Sequence, residues 1–243
     1  MALVTGGSRG LGLAIAHELA ARGADIAFNY LRNHSAARKA AASLEALGVR
    51  CLRVRAHLGD PESIQSLIDA VEQEYGRLDI LVNNAASGVQ RPAMELEQHH
   101  WDWTLDVNAR GPWLCVKEAV RLMSEGASVV NLTSLGSQRV LPHYTSVGVS
   151  KAALEALTRY LAVELAPRGI RVNAVSVGYV DTDALRTFPN WQEMLAQAQE
   201  KTPAGRMLTA EDVAQVVAFL CTEDAAMVRG QSIVVDGGLS LLG

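Results

Sequence analysis

The chain has 243 residues, enough for one sizeable core without demanding a second domain. Hydrophobic residues make up 49% and aromatics only 5%, the Ala-, Val- and Leu-rich composition that a parallel sheet packed between helices requires. A net charge of −4 supplies no basic field for nucleic acid or an anionic membrane surface.

A β-branched run at 2–5 predicts the first strand, and Gly6, Gly10 and Gly12 follow it in TGGSRGLG. Glycine is needed where the backbone turns sharply and a pyrophosphate must approach the N–H groups at a helix N-terminus. A helix is predicted near 11–22 and a second strand at 25–30. Sites for NAD place Asp or Glu at the end of the second strand to hold the ribose 2′-hydroxyl, where a 2′-phosphate would be repelled. Here that end reads Asn29-Tyr30-Leu31-Arg32-Asn33, without an acid. Arg9 and Arg32 are therefore candidate partners of a phosphate, against the plainer reading of two solvated arginines, and NADPH is the expected cofactor.

Helices near 35–47 and 61–75 flank a strand at 50–56, with Pro61 suited to a first helical turn. A strand at 79–83 ends in Asn83-Asn84-Ala85-Ala86. A long helical stretch near 96–124 carries Asn108, and a strand at 128–134 ends on Ser134. The next helix, near 146–166, carries Lys151 and stops at Pro167 and Gly169. A strand at 171–177 leads into the segment 181–207, which is polar and helix-forming and placed to cover a substrate beyond the strand ends. Phe188, Trp191, Met194 and Leu195 are its candidates for packing toward an apolar chain. A helix near 210–221 and a strand at 232–236 complete the pattern. Strand and helix alternate throughout, which predicts a Rossmann-type, doubly wound, seven-stranded parallel sheet in a single α/β domain, 1–243, with a lid.

Residues that would signal other chemistry are scattered. Cys51, Cys115 and Cys221 form no CxxC pair, pointing to a reducing compartment and away from a disulfide framework or zinc site. His99 and His100 are adjacent and, side by side on a helix, should point apart. No metal is expected. No run reaches the roughly 18 apolar residues of a membrane span, and no signal-peptide pattern opens the chain. The expectation is a soluble cytoplasmic protein. Met1 leads almost directly into the first strand, so the start is short or trimmed.

TGGSRGLG at 5–12, the Asn83–Ala86 turn, Ser134, YTSVGVSK at 144–151 and VDGG at 235–238 stand in the order of the short-chain dehydrogenase/reductase family, which the chain resembles over essentially its whole length. The resemblance implies cofactor contacts from Gly6, Ser8, Arg9, Gly10, Leu11, Gly12, Arg32, Asn84, Ala85, Lys151, Gly178, Val180 and Thr182. It implies adenine contacts at His57, where the family carries Asp or Asn, and at Leu58. Asn108, Ser134 and Lys151 occupy the positions that organise a proton relay, hold the substrate carbonyl and bind the nicotinamide ribose. Members commonly form tetramers through the helices at 96–124 and 146–166; a homotetramer or homodimer is expected.

One departure decides the chemistry. The family spaces its tyrosine and lysine by three intervening residues, and here that spacing lands on Val147, which has no proton to give. Tyr144 lies further back, with six residues between it and Lys151. Reducing a ketone puts hydride on the carbonyl carbon, so the donor sits beside that carbon's oxygen. Reducing an α,β-unsaturated thioester puts hydride on the β carbon, and charge develops on an oxygen displaced from the nicotinamide. A donor moved by about one helical turn, roughly 5 Å, suits the second case. Tyr-x6-Lys, the NNAASG turn, HWDWT and TPAGRM resemble enoyl-acyl carrier protein reductase III, which makes Tyr144 and Lys151 the implied catalytic pair. The expected activity is NADPH-dependent reduction of the trans-2 double bond of enoyl thioesters in fatty-acid elongation, on acyl carrier protein or coenzyme A. The alternatives are reduction of 3-oxoacyl thioesters or other ketones, and a non-catalytic NADP-binding regulator. Neither nucleic acid nor membrane is expected as a partner.

Overall fold

The computed structural model describes residues 1–183, 185–188 and 190–242; positions 184 and 189 of the expected lid lie outside them. Seven parallel strands run in the order β3-β2-β1-β4-β5-β6-β7. They are β1 (Ala2–Val4), β2 (Ile26–Tyr30), β3 (Cys51–Arg55), β4 (Ile80–Asn83), β5 (Ser128–Ser134), β6 (Arg171–Val177) and β7 (Ser232–Val235). The helices are α1 (Gly10–Ala21), α2 (His34–Glu45), α3 (Pro61–Tyr75), α4 (Gln98–Leu105), α5 (Gly111–Ala119), α6 (Thr145–Glu164), α7 (Trp191–Lys201) and α8 (Ala210–Leu220).

Side chains alternate across the pleat, so neighbouring residues of one strand enter different cores. Ala2 and Val4 join Ile15, Leu19, Leu44 and Val217 beneath α1, α2 and α8. Leu3 joins Ile64, Leu67, Cys115 and Leu161 beneath α3, α5 and α6. Helices thus cover both faces, which is why β6 is buried at every residue. Each crossover returns the chain to the same end of the sheet. The direction of winding reverses between β1 and its two neighbours, β2 and β4, opening a crevice beyond their carboxyl ends.

Local chemistry sets the boundaries. Asp60 caps α3 by accepting from Glu62 N, Pro61 opens its first turn and Gly76 closes it in the left-handed region. Thr209 and Asp212 form a reciprocal box at the start of α8.

The helix predicted near 96–124 is broken. A π-turn at Asp106–Arg110 separates α4 from α5. Pro112 stands in the first turn of α5. It has no N–H to give and its ring would crowd the carbonyl of Asn108 four residues back, so the backbone widens at that point. The widened turn carries the fully buried Asn108.

The two histidines do not point apart as expected. Their ring centroids lie 4.0 Å from each other. His100 swings back to accept the Glu97 N–H at the start of α4, which brings its ring beside His99. Among the described residues no cluster suited to a metal ion occurs, and no helix is long and apolar enough to cross a membrane.

The segment 181–207 leaves and re-enters the fold beside itself, since Val180 bridges Leu208. Between those points lie a short turn, Leu185–Thr187, and α7, whose Met194 and Leu195 are half-buried.

Candidate functional site

The glycine turn after β1 is built for close approach. Gly6 and Gly10 take positive φ values of 67° and 55°, which glycine adopts without strain. Gly12 packs so tightly on the turn that a Cβ there would lie 2.5 Å from both Gly6 O and Asn84 Nδ2. Above Gly10 the space is open, its nearest neighbour being Thr182 Cγ2 at 4.0 Å. Arg9 caps α1 without a side-chain bond, leaving the N–H groups of the first turn turned outward. A bare helix N-terminus with open space before it fits a pyrophosphate, with Ser8 and Leu11 flanking the turn and Thr182 across from it.

Neighbouring elements hold this cradle. Gly6 N donates to Asn29 Oδ1 at 2.8 Å, and Asn29 Nδ2 donates to Ala56 O. Asn84 N and Ala85 N both donate to Thr5 Oγ1, at 2.9 and 3.0 Å, while Asn84 Nδ2 donates to Thr5 O at 2.8 Å. Asn84 therefore braces the turn with its side chain. Gly178 presses against Asp236, with no room for a Cβ, and leads to Val180 and Thr182.

Arg32 is exposed and makes no side-chain bond among the described residues, so it is free to meet a phosphate. Arg9 instead pairs with Asp183 at 3.1 Å, both side chains being largely exposed. His57 Nδ1 accepts the Gly59 N–H at 3.1 Å, so a neutral ring carries its proton on Nε2, a donor suited to a base nitrogen. The Leu58 side chain is buried in the core with Ile64 and Leu114, so the adenine contact expected there falls to its backbone.

Ser134 and Tyr144 come together at the end of β5, with their hydroxyls 3.4 Å apart. Tyr144 is the residue before α6, so it is freed from the helix and reaches the strand end. His143 holds φ at 60°, the single positive value outside glycine among the described residues, and its carbonyl accepts Arg91 N. The tyrosine ring lies over Gly136, where a Cβ would stand 2.5 Å from ring carbon Cε1. Gly148 of α6 lets that turn approach, since a Cβ there would lie 2.7 Å from Gly136 O. Phe188 covers the ring with centroids 5.6 Å apart. Burial raises the Tyr144 pKa; the Ser134 bond opposes the rise and Tyr179 adds to it. The phenol is therefore protonated at neutral pH and can donate.

Val147 takes the family's usual tyrosine position. It is buried and packs against Gly88 with no space for a Cβ between them.

Lys151, two turns into α6, is 5% exposed and donates to Leu132 O at 2.8 Å. Burial pulls its pKa from 10.5 down to about 8. The structure brings it to the same strand as Ser134, though not into contact with Tyr144. The Asn108 side chain is spent on scaffolding: Oδ1 accepts Ser87 N, and Nδ2 donates to Ser87 O and to Ser150 Oγ at 3.0 Å. It locks the turn after β4 to α6.

A cleft of about 320 Å³ opens beside Tyr144, lined also by Gly136, Gln138, Leu141 and Val149. A larger cavity of about 420 Å³, lined by Leu208, Val216 and Phe219, contains none of the candidate catalytic residues.

Sequence reasoning missed Thr5, Asn29, Gly136 and Glu155. Glu155 is buried one turn beyond Lys151 and receives bonds from Thr133, Ser137, Gln138 and Ser232. Its signal was a lone acid on the helix face that also carries Lys151.

A family model described as enoyl-(acyl carrier protein) reductase matches residues 6–240. The 1-cyclohexenylcarbonyl-CoA reductase of Streptomyces collinus is 40% identical over 244 residues, covering 100% of this chain and 87% of that protein. The 3-oxoacyl-(acyl-carrier-protein) reductase FabG of Staphylococcus aureus is 33% identical over 240 residues, covering 98% of this chain and 97% of that protein. A short chain dehydrogenase from Burkholderia cenocepacia J2315, solved in complex with NADP, superposes with a TM-score of 0.92 at 37% identity, covering 98% of this chain and 97% of that one. A family match across nearly the whole chain, carried on the same ordered turns and strand ends, makes this protein an oxidoreductase of the short-chain dehydrogenase/reductase superfamily.

Proposed function

We propose that the protein is an NADPH-dependent reductase of enoyl thioesters. The observation that carries the reading is the identity of the tyrosine beside Ser134: it is Tyr144, while the usual position holds the buried, protonless Val147. The name of the Streptomyces relative denotes a thioester whose ring double bond is conjugated with its carbonyl, which supports the same chemistry.

The cofactor supplies the hydride. Tyr144 donates its hydroxyl proton as a hydrogen bond to the thioester oxygen, where charge collects when the β carbon is attacked, and helps deliver a proton. Ser134 orients the phenol. Lys151, charged below about pH 8, keeps the site electropositive and holds the cofactor ribose.

The second reading is ketone reduction, favoured by the 3.4 Å spacing of the Ser134 and Tyr144 hydroxyls, a pair able to hold one carbonyl oxygen. Incubation with NADPH and either crotonyl or acetoacetyl thioester, each on coenzyme A and on acyl carrier protein, separates the readings. Oxidation of NADPH with crotonyl thioester is expected; oxidation with acetoacetyl thioester alone would replace the first reading by the second. No turnover of either would point to a cofactor-binding regulator.

With Arg9 and Arg32 present and no acid at the end of β2, NADPH should bind at least roughly tenfold more tightly than NADH, about 1.4 kcal/mol of phosphate recognition. Arg9 must leave Asp183 to take part. Titration of both cofactors against the wild type and Arg32→Ala checks this, and equal affinities in the wild type would sink it.

The segment 181–207 acts as a lid in this reading, its Phe188 lying on the catalytic tyrosine. Its amides should gain hydrogen-exchange protection when cofactor and acyl substrate bind together. Identical exchange in the free and ternary states would mean a permanently packed cover.

A further inference from the structure

Glu155 is a buried carboxylate with no catalytic assignment and, among the described residues, no cationic partner. It is 6% exposed. Burying a carboxylate is costly unless donors satisfy it, and an apolar residue of similar size would avoid that cost. Four donors meet it here. Ser137 Oγ lies 2.6 Å, Thr133 Oγ1 3.1 Å and Ser232 Oγ 3.3 Å from Oε1, and Gln138 Nε2 lies 3.2 Å from Oε2. These donors come from β5, from β7 and from the turn that follows β5. One side chain of α6 therefore gathers three elements.

The turn it gathers is the seat of the tyrosine. Ser137 Oγ also lies 2.8 Å from Ser134 O, so its single proton is shared between that carbonyl and Glu155. Ser134 presents its hydroxyl to Tyr144 Oη, and the Tyr144 ring rests on Gly136 between these two serines. Tyr144 stands just before α6: its carbonyl accepts the Gly148 N–H at 2.7 Å and its own N–H donates to Leu141 O at 3.3 Å, so the backbone is tied to the helix start while the ring and hydroxyl lie on the Ser134–Gln138 turn. The helix start holds the Tyr144 backbone, the turn seats its ring and hydroxyl, and Glu155 ties that turn to α6.

We propose that Glu155 is a positioning residue for Tyr144, holding the Ser134–Gln138 turn at the distance from α6 that keeps the phenol beside Ser134. The inference rests on Tyr144 being the working tyrosine, whichever thioester is reduced.

The test is a double-mutant cycle on the holoenzyme, using whichever of crotonyl and acetoacetyl thioester it turns over. Glu155→Leu should lower kcat by about 30-fold, in line with the cost of a misplaced catalytic group, and leave NADPH Kd within about twofold. Glu155→Gln keeps an oxygen for the three hydroxyls, and the Gln138 amide can turn over to accept its new N–H, so kcat should stay within about threefold of wild type. In a Tyr144→Phe background, Glu155→Leu should cost almost nothing more, a non-additivity that loss of general stability does not produce. Ser137→Ala, which cuts the same link at a partly buried site, should lower kcat about fivefold with the same dependence on Tyr144, and it decides the question if the leucine variant does not fold. Additive losses, or a Glu155→Leu or Ser137→Ala enzyme with unchanged kcat, would overturn the proposal while leaving the role of Tyr144 standing. A harmless Tyr144→Phe would instead overturn both.

Discussion

Lys151→Met is expected to abolish most turnover and weaken NADPH binding while making the folded protein more stable. At neutral pH Lys151 is a charged amine held 5% exposed with one backbone acceptor. Its folded pKa of about 8 lies below the ordinary 10.5, so between those values the unfolded chain binds more protons and stability rises with pH. Below about pH 8 both states are protonated and the full burial cost is present, about 3 kcal/mol by the same relation. Methionine keeps the length and apolar volume of the lysine stem and removes that cost, at the loss of one hydrogen bond worth about 1 kcal/mol. The net gain at pH 7 should be about 2 kcal/mol, shrinking toward zero or below as pH approaches 10.5. Urea midpoints of wild type and variant across pH 7 to 10 read this directly; a variant less stable at pH 7 would show that the amine holds the fold together. Activity has the opposite dependence. The wild-type kcat/KM should fall above about pH 8 as Lys151 loses its charge, and Tyr144, its pKa raised by burial, cannot be the source of that limb.

How far this site is legible depends on what each residue's neighbours in sequence reveal. β5 and β6 match their predicted limits, because strands buried on both faces read as continuous apolar runs bounded by turn residues. Pro142 signals that α6 begins only after Tyr144, which places the tyrosine at a strand end. The break at Asp106–Arg110 escapes a sequence reading because the helical period continues through it; only Pro112 marks the conflict. Leu58 is a ligand candidate by position, yet packing draws its side chain into the core. Phe188 is a candidate for packing toward an acyl chain by composition alone; that it lies on the Tyr144 ring is visible only in the fold. Glu155 escapes notice for a different reason. A glutamate on a helix reads as solvated, and only the tertiary arrangement of Thr133, Ser137, Gln138 and Ser232 shows that it is enclosed. Contacts made by residues distant in sequence, or by single atoms of one turn, leave no periodic trace.

Tyr144→Phe should lower turnover of the enoyl thioester by about 10²-fold or more, the usual worth of a positioned acid or oxyanion donor. NADPH affinity should barely change, because the deleted hydroxyl meets Ser134 and, in the proposed mechanism, the substrate, and its loss leaves the glycine turn untouched. The ring keeps its place over Gly136 and against Phe188, so the fold is not at risk. Two further variants test position as well as chemistry. Gly136→Ala leaves the phenol intact but sets a methyl 2.5 Å from Tyr144 Cε1, which no ring tolerates without moving. It should therefore lower turnover in the same direction with the hydroxyl still present. Val147→Tyr restores the spacing usual in the superfamily, but the site is buried and closed by Gly88, so the new ring must push the turn after β4 aside. Added to Tyr144→Phe, it should not recover enoyl reduction, because a donor one helical turn nearer the nicotinamide lies beside the β carbon, which carries no oxygen, and away from the thioester oxygen where charge collects; any ketone reduction it creates should be slight. Recovery of enoyl turnover in the double variant would show that the spacing carries no specificity. A Tyr144→Phe enzyme as active as the wild type would leave Tyr144 as no more than the residue that starts α6.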